Sequence, residues 1–161
     1  MSKAFDSLNL KILLLKRQDI GLSPKALCWF SSYLSERFQA VRINSELSNK
    51  LPVHSGVPQD NILGPILFNI YIHDLPKVPQ NCSSRIYVDD NKLYITFPVQ
   101  ENTSVQTNIN NDLIRIQNWC FDNYFLTHLK QNLCYFGNNR MLSKIPNFRL
   151  SLLGKELLPA T

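Results

Sequence analysis

Residues 85–95 read RIYVDDNKLYI, with the adjacent carboxylates Asp89 and Asp90 between two β-prone runs, Ile86-Tyr87-Val88 and Lys92-Leu93-Tyr94-Ile95. At about 4 Å and an effective dielectric near 20, two such charges repel by roughly 4 kcal/mol. Two arrangements relieve that repulsion: a turn that leaves both side chains in water, or a bound cation that offsets them. No other residue set competes for a metal. Cys28, Cys82, Cys120 and Cys134 form no CxxC pair and show no zinc spacing, and His54, His73 and His128 are scattered.

The elements that must hold the pair follow from local pattern. VDDN carries good turn residues between two strands, so a β-hairpin is expected at 85–96. NCSS at 81–84 separates it from a buried helix, ILFNIYIHDL, which follows the turn-rich SGVPQDNILGP of 55–65. Upstream, SLNLKILLLKRQ (7–18) reads as a mostly buried helix. Ser23-Pro24 reads as N-cap and first helical residue of a helix over 24–35 with Leu27, Phe30 and Leu34 on one stripe. FQAVRIN (38–44) and KLPVHS (50–55) alternate as strands, with SELSN as their loop. Downstream, 102–122 opens on Asn102 or Thr103 as cap and runs amphipathically through Ile109, Leu113, Ile116, Trp119 and Cys120. QNLCYFG (131–137) and FRLSL (148–152) read as strands, and Leu153-Gly154-Lys155-Glu156 as a turn. Mixed helices and hairpins predict an α+β fold, and 161 residues without repeat or linker predict a single domain over 1–161.

Composition sets the frame. Hydrophobic residues make up 44% and aromatics 11%, a globular balance that excludes a disordered chain. The net charge is +5 and spread along the chain, with 11 basic and 8 acidic residues in 1–100 and 6 and 4 in 101–161. That is a weakly attractive surface for polyanions. Three cysteines sit in apolar or aromatic surroundings (LCWF, NWCF, LCYF), which predicts buried free thiols. There is no apolar leader in MSKAFDSLN and no run of about 18 apolar residues, so the expectation is an intracellular protein, cytoplasmic or nuclear, with no membrane role.

Three segments then line up in order: SKAFDSLN (2–9), SGVPQDNILGPILFNIYIHDLP (55–76) and YVDD (87–90). Together they resemble the reverse transcriptases, or RNA-directed DNA polymerases, of non-LTR retrotransposons, jockey-like elements in particular. YVDD resembles the family's Y-x-D-D and SGVPQDNILGP its S-G-V-P-Q-G-S-I-L-G-P. LKQNLCYFG resembles a weakened motif D, and FRLSLLGKELLPA the strand pair after it. The resemblance implies a polymerase palm, an antiparallel sheet packed on helices, with the hairpin turn at its catalytic centre. It implies two-metal nucleotidyl transfer with Mg2+, an RNA template, a DNA primer and dNTP as partners.

By the same resemblance Asp89 is the principal metal ligand and Asp90 its neighbour, against the alternative of a solvated turn. Ser55, Gly56 and Pro58 let backbone approach a nucleotide, and Gln59 contacts the dNTP sugar; the other reading is a loop ending in an N-cap at Asp60 or Asn61. Phe5 resembles the aromatic residue that excludes a 2′ hydroxyl, with ordinary core packing as its alternative. Lys130 resembles the motif D lysine that protonates pyrophosphate, with a solvated lysine as its alternative.

Several positions depart from the family. The motif A aspartate, five residues before the Phe of D-x-x-K-A-F-D, would fall immediately ahead of Met1, and Asp6 is too far along to replace it. Asp60 stands where the family has Gly, and Asn61 where it has Ser. THLKQN (127–132) replaces N-P-x-K-T-K, and residues 1–161 are expected to hold the palm without the fingers and thumb segments. A lost ligand of both metals costs on the order of 3–5 kcal/mol of transition-state stabilisation, about two to four orders of magnitude in rate. The expectation is a polymerase palm by lineage that is inactive as this chain. The alternatives are a non-catalytic palm remnant that binds nucleic acid or protein, and a decayed fragment without function.

Overall fold

The computed structural model describes residues 5–57, 62–87, 90–125, 133, 134, 136, 140, 143, 149–152 and 154–157. It divides into two compact units, Met1–His73 with Asn123–Thr127, and Asp74–Asp122 with His128–Thr161. The fold is mixed α+β, as the alternation of patterns predicted: among the described residues it has four helices of at least 10 residues and four two-stranded antiparallel ladders.

In the first unit, α1 (Leu10–Asp19) starts later than the apolar run suggests. Asn9 caps it, its side-chain oxygen accepting from the amides of Lys11 at 2.9 Å and Ile12 at 3.3 Å. The helix is less buried than expected: Leu13 is in the core, but Leu15 is 63% exposed. Helix α2 (Pro24–Leu34) follows the sequence expectation, with Ser23 accepting from the Ala26 amide and Pro24 in the first turn.

Next, β1 (Phe38–Gln39) pairs with β4 (Leu51–Pro52), and β2 (Arg42–Ile43) with β3 (Glu46–Leu47). This hairpin reverses at Asn44-Ser45 rather than across the whole of SELSN. Asn44 takes φ 56, a left-handed conformation that Asn tolerates better than most side chains, so a two-residue connection suffices. Helix α3 (Leu63–Ile72) buries Leu67, Phe68, Ile70, Tyr71 and Ile72, as its almost wholly apolar sequence requires. Its Tyr71 hydroxyl donates a short hydrogen bond to the Asn123 carbonyl, and Lys16 of α1 donates to the Tyr71 carbonyl at 2.9 Å.

The second unit opens with a 3-10 turn, Leu75–Lys77, and the hairpin of β5 (Ser83–Tyr87) and β6 (Asp90–Tyr94). The expected hairpin is present, its strands beginning two residues earlier than predicted. After a second 3-10 turn at Val99–Glu101, α4 runs from Asn102 to Asp122. Asn102 is itself helical, at φ −54, because the 3-10 turn leads directly into the helix and takes the place of a side-chain cap. Strands β7 (Leu150–Leu152) and β8 (Lys155–Leu157) pair in register Leu152↔Lys155, so Lys155 and Glu156 are strand rather than turn. Val105 and Leu113 of α4 form a core with Leu150 and Leu152, against which Leu93, Ile95, Phe97, Ile109, Leu133 and Leu157 pack. The stretch predicted as a strand at 131–137 falls largely outside the described residues.

The thiols differ from expectation. Cys28 and Cys134 are exposed, Cys120 is half-buried and Cys82 is the buried one. Apolar sequence neighbours do not bury a helical residue, because adjacent positions point about 100° apart; Cys28 lies beside Trp29, itself 52% exposed.

Candidate functional site

The first unit carries the glycine of SGVP. Ser55 bridges Asn9 in an antiparallel pair, the Gly56 amide donates to the Leu8 carbonyl at 2.8 Å, and the Val57 amide donates to the Phe5 carbonyl at 3.0 Å. These bonds lay 55–57 directly on 5–9. Gly56 has φ +80, and a Cβ there would stand 2.9 Å from the Asp6 Cα and 3.0 Å from its carbonyl oxygen. Only glycine permits that approach and that backbone angle. Arg37 closes the other side, donating to the Gly56 carbonyl at 3.2 Å. An open polar groove of about 500 Å³ lies here, lined by Asp6, Arg37, Gln39, His54, Ser55 and Gly56 among others. The Phe5 ring stacks on Phe68, with centroids 4.7 Å apart. The structure thus brings two sequence-predicted residues, Phe5 and Gly56, into one backbone contact. Gln59 lies outside the described residues, as do Asp60 and Asn61.

The second unit carries Asp90. It is the first residue of β6, exposed, and paired with Tyr87 at the last described rung of the ladder. Asp89 and Lys130 lie outside the described residues. Along the ladder exposure alternates: Ser84, Ile86, Asn91 and Leu93 are partly covered, while Ser83, Arg85, Tyr87, Asp90, Lys92 and Tyr94 face solvent. The Ser84 hydroxyl donates to the Asn91 side-chain oxygen at 2.7 Å on the covered face.

What fixes the base of this hairpin is a residue that the sequence reading did not single out. Asp112 of α4 is fully buried. Its carboxylate accepts from the backbone amides of Gln80 at 3.0 Å, Asn81 at 2.8 Å and Cys82 at 2.7 Å, from the Asn81 side-chain amide at 3.2 Å, and from Arg115 at 2.6 Å. Burial pushes this carboxyl up, but the three amides and Arg115 outweigh it and hold it at about 2. The same burial, with Asp112 alongside, pushes the Cys82 thiol up to about 12. A signal was present in sequence: Asp112 falls on the α4 stripe of Val105, Ile109, Leu113, Ile116 and Trp119. A carboxylate on an apolar stripe must find donors. Trp119 of that stripe donates to Asp74 at 3.1 Å, tying the helix to the start of the unit.

Carboxylate oxygens at 89–90 are the donor type that magnesium selects. Among the described residues no group of three His, Cys, Asp or Glu converges to hold a metal ion. No helix among the described residues is long and apolar enough to cross a membrane.

Gly56 lies against the Phe5-Asp6 turn in one unit, and the β5–β6 ladder carries Tyr87 and Asp90 of YVDD in the other. The reverse transcriptase (RNA-dependent DNA polymerase) family model matches residues 1–130, so the chain belongs to that family. It is similar to the probable RNA-directed DNA polymerase from transposon X-element of Drosophila melanogaster, 48% identical over 46 residues, 29% of this chain and 5% of that protein. It is also similar to the RNA-directed DNA polymerase from mobile element jockey of the same organism, 32% identical over 76 residues, 47% of this chain and 8% of that protein. A third relative, the probable RNA-directed DNA polymerase from transposon BS, is 40% identical over 45 residues, 28% of this chain and 5% of that protein. The matched segments therefore span less than a tenth of each of these relatives.

Proposed function

We propose that residues 1–161 are one partial reverse transcriptase domain, the palm of a non-LTR retrotransposon polymerase. In this reading Asp89 and Asp90 hold Mg2+, Gly56, Gln59 and Phe5 face the nucleotide, and Lys130 serves pyrophosphate departure. The observation that carries the reading is the Gly56 contact: its excluded Cβ position, 2.9 Å from the Asp6 backbone, sets 55–57 directly against Phe5 and Asp6. The bound metal would supply charge neutralisation at the transferred phosphate. This chain's own contribution is to present the carboxylates from a hairpin whose base Asp112 fixes, and to keep a Cβ out of the backbone contact at Gly56.

The isolated 161-residue chain is proposed to be silent in polymerisation. Asp60 adds a side chain and a negative charge where a triphosphate would approach. Two measurements test the two parts. Magnesium titration followed by amide NMR shifts at 86–93 should show saturable binding that Asp89→Asn abolishes; no shift in the wild-type chain rejects the metal site. Primer extension on an RNA template should give no product, and a product that vanishes with Asp89→Ala would reject the silence.

A further inference from the structure

The chain leaves α2 through an uncommon conformation. Ser35 ends the helix, its amide donating to the Ser31 carbonyl at 3.0 Å. Glu36 then takes φ 49, the left-handed region that a residue with a Cβ enters only at a cost. Strain of this kind persists where the surroundings hold it, and what it accomplishes here is the placement of Arg37. The Arg37 backbone carbonyl accepts from the Val53 amide at 2.8 Å and closes the root of the 38–52 hairpin. Its guanidinium reaches the other way and donates to the Gly56 carbonyl at 3.2 Å. Gly56 is buried, so that carbonyl needs a donor. Among the described residues Arg37 has no carboxylate partner, and its charge-assisted hydrogen bond goes to this main-chain oxygen. The peptide unit between Gly56 and Val57 is thus held at both ends, its carbonyl by Arg37 and its N–H by the Phe5 carbonyl at 3.0 Å. Every strand residue of the hairpin is exposed. Side-chain burial therefore does not tie the hairpin to 55–57, and the Arg37 junction does.

We propose that Arg37 is a positioning residue through which the 38–52 hairpin sets the Gly56 loop. While the hairpin is ordered, the Val53 amide fixes the Arg37 backbone, and the guanidinium holds the Gly56–Val57 peptide against Phe5. When the hairpin opens, that side chain loses its anchor and 55–57 loosens from 5–9. The hairpin is then a regulatory lever: whatever orders it tightens the surface that 55–57 presents. The inference rests on the palm reading in one respect, that this loop faces the nucleotide, and it adds the residue and the element that control the loop.

The test is a double-mutant cycle read by amide hydrogen exchange at Gly56 and Val57 in the full chain, with neither nucleotide nor metal present. Asn44→Val puts a β-branched side chain at a left-handed position and loosens the hairpin at its tip. It should speed exchange at both amides about threefold or more, while Phe68–Ile72 of α3 exchange as before. Arg37→Met keeps the length of the stem and removes the donor, and should speed both amides about tenfold. In Arg37→Met, adding Asn44→Val should change neither amide further. Arg37→Lys keeps a charged donor, and should restore most of the protection and with it the response to Asn44→Val. A brace that carries nothing from the hairpin gives additive effects, so additivity in the cycle overturns the proposal. So does unchanged exchange at Gly56 and Val57 in Arg37→Met, or a speed-up that extends equally to α3. Should Arg37→Met misfold by circular dichroism, native-state exchange of the wild-type chain in low urea decides. A common urea dependence of the Ser48, Val53, Gly56 and Val57 amides supports the lever, and loss of protection at 56–57 only together with α3 rejects it. Because magnesium is absent throughout, a failed magnesium titration and a failed cycle are separate results.

Discussion

Two of the described hairpins, the one over 38–52 and β5–β6, are built on different principles. In the β1–β4 and β2–β3 hairpin every strand residue is exposed, including Phe38, Ile43, Leu47 and Leu51 at 61–69%. It is shaped by backbone and turn chemistry: Asn44 at positive φ, Ser48 donating to the Val41 carbonyl, and its root held by the Val53 amide on the Arg37 carbonyl at 2.8 Å. The β5–β6 hairpin instead packs one face and is stapled at its entry by four hydrogen bonds from 80–82 to Asp112. An isolated two-stranded hairpin is at best marginally stable in water. The hairpin that carries Tyr87 and Asp90 is anchored at its entry by a buried carboxylate, Asp112.

The largest effect should come from removing that anchorage. Asp112→Ala leaves three amides and Arg115 without their acceptor, at an expected cost of about 3–5 kcal/mol. Urea unfolding reads the loss, and hydrogen exchange should show the β5–β6 amides opening ahead of the remainder of their unit. A cost under 1 kcal/mol, by the ordinary range of surface substitutions, would mean that the staple does not hold the hairpin. Next comes Gly56→Ala, which adds a left-handed alanine and a backbone clash, together about 2–5 kcal/mol. A variant of unchanged stability would contradict the close approach on Asp6.

The acid response comes third. The Asp112 carboxyl, held at about 2 against an ordinary 3.8, contributes stability that is complete above the unfolded value and is lost as pH falls towards 2. The contribution is about 2 kcal/mol. Comparing urea midpoints at pH 7 and pH 2.5, Asp112→Asn should show a pH dependence flatter by that amount, since its amide does not titrate. Equal pH dependence in the two proteins would remove Asp112 from the acid transition.

How much of this was legible depended on whether the cause is local. Helices α2 and α4 were readable because a Ser-Pro start and a sustained stripe are local signals. The β5–β6 hairpin was readable because two β-prone runs flank turn residues. The start of α1 at Asn9, the two-residue reversal at Asn44 and the β8 strand were misplaced because each depends on one side chain's hydrogen bond, one φ angle or one pairing register. The thiols were misread because helix phase, not sequence neighbourhood, decides burial. At the site, the Phe5–Gly56 meeting was legible only through resemblance, since no periodicity links residues fifty positions apart. Asp112 was missed although its stripe position marked it. Its donors, Gln80 to Cys82, come from a loop thirty residues away, and only the fold brings them together.

The smallest effect should be at the tip of the first hairpin, and that makes it the sharpest control on the comparison. Ile43 is 69% exposed and pairs with Glu46 next to the turn, so a polar β-branched replacement keeps its backbone preference and loses little burial. Ile43→Thr should change global stability by no more than about 0.5 kcal/mol. If instead it costs as much as Gly56→Ala, the hairpin's apolar side chains are covered in solution, and turn chemistry alone does not account for its shape. If it is neutral while exchange at Ile43 and Glu46 stays far faster than at Arg85 and Lys92, the two hairpins differ as their burial patterns say.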